Sequence, residues 1–197
     1  MLETLSAPVR VSVDVTSRCN LSCSHCRLGS GRGADRDLPL PLLERLVDDL
    51  ARDEVFVLGL SGGEPFLRPG FADLLLRAGE AGFSRVYVST NGTRITRALV
   101  RKLRPVARNL CFRVSLDGLP DTHDALRGRA GTFQAAVRAM ERLLDAGMAV
   151  EVNTTVMKEN FFDLLPLAGL CLDLGVRRHR FLSLMPLGSS LALAAPS

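Results

Sequence analysis

Val9-Arg10-Val11-Ser12-Val13-Asp14-Val15, followed shortly by Cys19-Asn20-Leu21-Ser22-Cys23-Ser24-His25-Cys26, is the stretch from which the rest of the chain is read. The first segment alternates Val with Arg, Ser and Asp, a period of two that predicts a half-buried strand. The thiols then fall on a short loop past that strand's C-terminal end. In an α/β barrel this is the face on which chemistry is built. Thiolates are soft ligands that select zinc or iron–sulfur clusters. A closed zinc site takes four donors, so zinc here needs His25 or a remote Cys as the fourth. A cubane held by three thiolates instead leaves one iron open to a substrate. On these residues alone both readings stand.

A second motif separates them. Ser61-Gly62-Gly63-Glu64-Pro65 follows the apolar run Val55-Phe56-Val57-Leu58-Gly59-Leu60, the second predicted strand. Paired glycines allow backbone to approach a ligand closely, and the Glu64 carboxylate can receive an ammonium group. Gly-Gly alone is only a turn. Gly-Gly-Glu-Pro one β/α unit after a CxxxCxxC loop is far more specific. Together these residues resemble the radical S-adenosylmethionine (SAM) enzymes, and the resemblance covers about residues 9–188. It implies that Cys19, Cys23 and Cys26 bind a [4Fe-4S] cluster whose open iron chelates the amino and carboxylate groups of SAM.

Composition bounds the size of the core and excludes several classes. The chain has 197 residues, 47% of them hydrophobic, enough for one sizeable core. Lys+Arg 25 against Asp+Glu 21 leaves a net charge of only +4, which does not argue for nucleic acid. Nearly all the positive charge is Arg. Residues 1–8 have no apolar core of a signal peptide, and no apolar run is long enough to span a membrane. Five cysteines, three of them clustered, suit a reducing cytoplasm better than a disulfide framework.

Further along, residues 29–37 are rich in Gly, Arg and Asp and read as an exposed, mobile connection. Pro39 and Pro41 open a helix with apolar positions Leu42, Leu43, Leu46, Val47 and Leu50. A second helix starts at Pro69, carries Leu74, Leu75 and Ala78, and stops at Gly82. Strands are expected at 85–90 and 110–116, with a short helix over about 96–103 between them. Thr132 is expected to cap a helix with the stripe Phe133, Ala136, Val137, Met140, Leu143 and Leu144. A strand over 149–156, a helix over about 161–174 and a sixth strand near 179–185 follow. Helical crossovers between strands make a parallel sheet. Six units are too few to close an eight-stranded barrel, so the expected fold is α/β: an open partial (β/α)6 TIM-like barrel, its last helix missing. The organisation expected is an N-terminal lead (1–8), a core domain (9–188) and a frayed tail (189–197).

The resemblance carries over residue by residue. Gly62, Gly63 and Glu64 match the loop that contacts the methionine amino group. Ser115 matches a frequent ribose or carboxylate contact. Arg127 resembles an Arg that pairs with the SAM carboxylate, for which a guanidinium fork is suited. Asn153 and Thr155 share one face of their strand by period two, and one of them is expected at the ribose. Leu182 lies where family members hold adenine. His25 is read as a neighbour of the cluster or a bystander, with no partner named for His123 or His179. Arg177, Arg178 and Arg180 read as a solvated strand entrance, and Cys111 and Cys171 as buried core thiols.

The pattern Ser-Leu-Asp-Gly, His-Asp, Arg-Gly and Asn-Thr-Thr-Val is most similar to the subgroup with a C-terminal SPASM or twitch extension. That subgroup modifies peptides or builds cofactors. Here no downstream Cys cluster follows. The expectation is therefore reductive SAM cleavage, with an electron donor of flavodoxin or ferredoxin type and a peptide among the possible substrates. The alternatives are a truncated, non-catalytic remnant that needs a partner chain, and a zinc-binding interaction module.

Overall fold

β-branched runs and helical stripes alternate along the chain, so each strand must return through a helix to lie parallel to the one before. The computed structural model, which describes residues 7–29 and 37–192, has that arrangement. The strands are β1 (Arg10–Asp14), β2 (Val57–Ser61), β3 (Arg85–Thr90), β4 (Leu110–Ser115), β5 (Ala149–Val156) and β6 (Arg178–Ser183). They form one sheet in the order β1-β2-β3-β4-β5-β6. Every neighbouring pair is parallel. β1 and β6 do not pair, so the sheet is an open partial barrel.

The helices are α1 (Leu40–Arg52), α2 (Phe71–Glu80), α3 (Arg97–Leu103), α4 (Pro120–Arg127), α5 (Thr132–Asp145) and α6 (Leu164–Asp173). They cover one face of the sheet. Leu58, Leu60, Val86, Val88, Leu110, Phe112, Val114 and Val152 are all almost fully buried. They pack in one core with Leu43 and Val47 of α1, Leu74 and Leu75 of α2, and Met140 and Leu143 of α5. The alternate strand residues, Gly59, Tyr87, Arg113, Ser115, Glu151 and Asn153, occupy the opposite, concave face. That face is polar, and its upper rim is where the loops meet.

Several expectations change in detail. An additional helix, α4, lies between β4 and α5; its eight residues Pro120–Arg127 carry too few apolar positions for a clear stripe. Thr132 is the first residue of α5, not its cap. Asp124 of α4 does that work, accepting from the Gly131 and Phe133 amides at 2.5 and 2.8 Å and from the Thr132 hydroxyl at 2.7 Å. Cys111 and Cys171 are both buried as expected; Cys171 joins the helix-side core, while Cys111 lies on the concave side of β4, opposite Tyr87 in register. Arg178 opens β6 and stays exposed, as a strand entrance would, but both it and the half-buried Arg180 also reach Glu151.

Of the expected frayed tail, residues 189–192 fall in a short 3-10 turn, Gly188–Ala192. It is anchored by Ser190, which is fully buried, and by the Ser189 amide, which donates to the Cys26 carbonyl at 2.9 Å. The remaining tail residues 193–197, the lead residues 1–6 and residues 30–36 of the expected mobile connection lie outside the described residues.

Candidate active site

The thiol loop has little regular structure of its own, so its shape depends on what clamps it. On one side it is joined to the β2 end by backbone hydrogen bonds. The Val15 amide donates to the Ser61 carbonyl, Gly63 to Thr16, and Glu64 to Arg18, each at 2.8 Å. A Cβ on Gly63 would collide with the Arg18 carbonyl, and one on Gly62 with that of Thr16. Gly62 also has φ +141, a conformation that only glycine adopts easily. On the other side the Ser24 amide donates to the Leu126 carbonyl at the end of α4, at 3.0 Å.

A cavity of about 240 Å³ opens between these clamps at the C-terminal ends of the strands. Cys19, Cys23 and Cys26 line it, as do Gly62, Gly63, Ser115, Arg127, Asn153, Thr155 and Leu182. Ten expected site residues, drawn from the first loop to the last strand, thus meet at one place. Glu64 is the expected residue that does not line the cavity. Its carboxylate is fully buried and turned toward β3. It accepts from the Thr90 hydroxyl at 2.9 and 3.0 Å, the Asn91 amide at 2.8 Å and the Phe66 amide at 3.2 Å. Burial raises its pKa against the pull of these donors. In this arrangement Glu64 ties the glycine loop to the end of β3.

Asp117, immediately past β4, is the centre of a second network that was not singled out in the sequence. Its Oδ2 is 2.6 Å from Arg127 Nη2 and 3.0 Å from His25 Nε2. Its Oδ1 accepts from the Thr155 amide at 2.9 Å, and its own amide donates to His123 Nδ1 at 3.0 Å. Asn160 donates to the Asp117 and Thr155 carbonyls, each at 2.7 Å. Burial opposes ionisation of Asp117, but Arg127 and His25 outweigh it and hold the carboxyl far below the usual range. Arg127, expected at the SAM carboxylate, already has a carboxylate partner inside the protein. It is buried, paired with Asp117, and its Nη1 lies 3.7 Å from Cys23 Sγ.

None of the five cysteines forms a disulfide. Burial pushes the Cys23 thiol up, and the Arg127 guanidinium beside it pulls the other way; burial likewise raises Cys19. The Asn91 side chain, also on the cavity wall, approaches Cys19 Sγ at 4.0 Å. Among the described residues, no three His, Cys, Asp or Glu side chains are gathered as ligands of a single ion. A lone zinc needs donors within about 2.0–2.3 Å of one centre, whereas a cubane presents its irons at separate corners. Around the thiols, Asn153 Oδ1, His25 Nδ1 and Arg127 Nε are buried without partners. Three thiols outside any disulfide, a glycine cradle and unpartnered polar atoms on one cavity fit a cluster with a polar ligand beside it.

Asp117, Ser89, Thr90 and Asn91 were the site residues missed. The available signal was position: each follows or ends a strand whose C-terminus faces the same way as that of β1.

Comparison with known proteins agrees with this geometry. The pattern of the radical SAM superfamily matches residues 13–171. The AdoMet-dependent heme synthase of Methanosarcina barkeri is 33% identical over 190 residues, covering 95% of this chain and 54% of that protein. The mycofactocin maturase MftC of Mycolicibacterium smegmatis is 36% identical over 173 residues, covering 87% of this chain and 43% of that protein. The chain thus spans about half the length of these curated relatives. Among solved structures, Streptococcus suis SuiB bound to S-adenosylmethionine superposes with a TM-score of 0.81 at 19% identity, covering 91% of this chain and 41% of that one. At that identity the likeness speaks for the fold.

Proposed function

The chain belongs to the radical SAM superfamily, whose members bind a [4Fe-4S] cluster and SAM, and from that premise we propose that it carries the reductive SAM-cleaving core of a peptide-maturing enzyme. The observation that carries the reading is the single cavity that gathers three thiols, the Gly62-Gly63 loop and polar strand ends. Held by Cys19, Cys23 and Cys26, a [4Fe-4S] cluster reduced by an external donor would supply the one electron that reductive cleavage of SAM requires.

The chain's own residues have distinct tasks. Cys19, Cys23 and Cys26 hold three irons. Gly62 and Gly63 let the backbone approach the amino-acid end of SAM. Ser115, Asn153 and Thr155 offer hydroxyl and amide groups to the ribose. Leu182 offers an apolar face to adenine. Asp117 joins His25 of the thiol loop to Arg127 of α4, so the loop's shape is preset before loading. The whole is one core domain over 9–188.

A peptide substrate is supported by relatives named as maturases, the mycofactocin maturase among them, and by the SuiB neighbour solved with its precursor peptide SuiA. The electron donor would be of flavodoxin or ferredoxin type. The lack of any disulfide among the described cysteines favours a reducing, cytoplasmic setting.

Anaerobic reconstitution, then dithionite and SAM, tests the reading. The expected products are 5′-deoxyadenosine and methionine. A fully loaded chain that yields neither would show that this chain alone is not catalytic, and loading with zinc in place of iron and sulfide would overturn the cofactor. Cys23→Ala should abolish cluster assembly, because two thiolates do not hold a cubane stably. Four irons retained per Cys23→Ala chain would remove Cys23 as a ligand.

A further inference from the structure

We infer that the concave face of the sheet, below the cavity, binds a carboxylate of the substrate. The inference rests on the proposed function for what occupies the cavity above it. Its own evidence is an excess of guanidinium groups in one half-enclosed place. Glu151, which is 5% exposed, faces three of them: Arg113 Nε at 3.0 Å, Arg178 Nη1 at 2.9 Å and Arg180 Nε at 3.5 Å. Arg113 also lies over the Tyr87 ring, 3.5 Å from its centroid. Arg10 of β1 also lies over that ring, at 5.5 Å.

Gly59 makes room for this convergence. A Cβ there would stand 2.8 Å from Ser12 Oγ and 3.5 Å from Arg10 Nη2, and a glycine inside a strand often marks such a close approach. Three guanidiniums thus share the Glu151 carboxylate, and a fourth, that of Arg10, stands against the same Tyr87 ring. Arg10 registers the imbalance: burial first, then Arg113 and Arg180, lower its pKa.

Strand register links this face to the cavity. Glu151 is level with Arg113 and Arg178, and Asn153 is level with Ser115 and Arg180. Asn153 and Ser115 line the cavity, so Arg180 stands at its lower edge. The side chains of Arg178 and Arg180 are 61% and 30% exposed and remain reachable from the open side of the barrel. Uncompensated cations in a concavity concentrate anions. The planar fork of Arg suits a carboxylate, and Glu151 shows these donors already holding one.

The chain has one Tyr and no Trp, so a tyrosine label reports on Tyr87 alone. A chain carrying 13C-labelled tyrosine, with and without reconstituted cluster, is titrated with glutarate at constant ionic strength and followed by NMR. A saturable Tyr87 shift is expected with glutarate and none with glutaramide. Arg178→Gln combined with Arg180→Gln should weaken glutarate binding about tenfold or more. Glu151→Gln removes the competing carboxylate and should tighten it.

N-acetylglutamate amide and N-acetylglycine separate an acidic side chain from a chain terminus, and saturable binding of either supports the site. Absence of any saturable shift, or unchanged affinity in the double variant, would overturn it. Inorganic phosphate binding much more tightly than glutarate would overturn the carboxylate assignment. SAM cleavage, measured separately, shows whether the cavity reading stands irrespective of this result.

Discussion

At the scale of single residues, Arg127 and Glu64 show how burial changes a side chain's role. Both were expected at the ends of a bound amino acid, and both prove to be partnered inside the protein. Arg127 compensates Asp117, and neither is exposed enough for water to take the other's place. Removing one member of a buried ion pair strands the other, at a cost of about 3–5 kcal/mol. Arg127→Ala should therefore lower the urea unfolding free energy of the cluster-free chain by that order. Wild-type stability with weakened SAM binding would instead return Arg127 to a purely ligand-binding role.

Glu64 faces only donors: two amides and a hydroxyl. Glu64→Gln turns one acceptor into a donor against them. The expected loss is about 1–3 kcal/mol, seen as a lower urea midpoint with unchanged slope. An unchanged midpoint would mean that the amide rotates to satisfy the same donors.

At the scale of elements, the α4–α5 corner sets the site's far wall. α4 ends at Gly128, φ +69, and α5 begins four residues later. A Cβ on Gly128 would stand 2.6 Å from Ser22 Oγ, so this turn also presses on the thiol loop. Asp124 closes the corner by capping α5 from outside that helix. Loss of a capping carboxylate costs about 1 kcal/mol. Asp124→Ala should show that loss in thermal unfolding, together with faster amide exchange at Gly131 and Phe133. Exchange that stays at wild-type rates would mean that the corner is held by packing alone.

At the scale of the whole molecule, stability depends on a histidine kept neutral. His123 is 1% exposed. Its Nδ1 accepts the Asp117 amide, which requires an unprotonated nitrogen. Burial, then the nearby Arg127, lowers its pKa from 6.5 to about 4. The folded value is depressed, so the unfolded chain binds the proton first. Stability is full above pH 6.5 and falls as pH drops toward about 4. The loss from this one group is on the order of 3 kcal/mol. Carboxylates add their own acid sensitivity, so the measurement is a difference. His123→Gln, which keeps an acceptor, should lose less stability than wild type between pH 6.5 and 4.5. Parallel pH profiles would show that His123 titrates normally.

The sequence by itself determined the strand count and the parallel order, which follow from periodicity and the alternation of strand and helix. Of the eleven residues singled out by short motifs or by the resemblance, ten line the one cavity, because a residue that ends a parallel strand is placed at the same rim as its neighbours. Tertiary structure decided where charge is compensated. Asp117 reaches Arg127 and His25, and Glu151 reaches Arg113, Arg178 and Arg180. Each partnership spans different strands and loops, and no local pattern marks it. Whether an Arg is solvated, paired or poised for a ligand depends on the dielectric and the neighbours that packing places around it. That is why Arg178 and Arg180 read as a solvated run in the chain and face a buried glutamate in the fold.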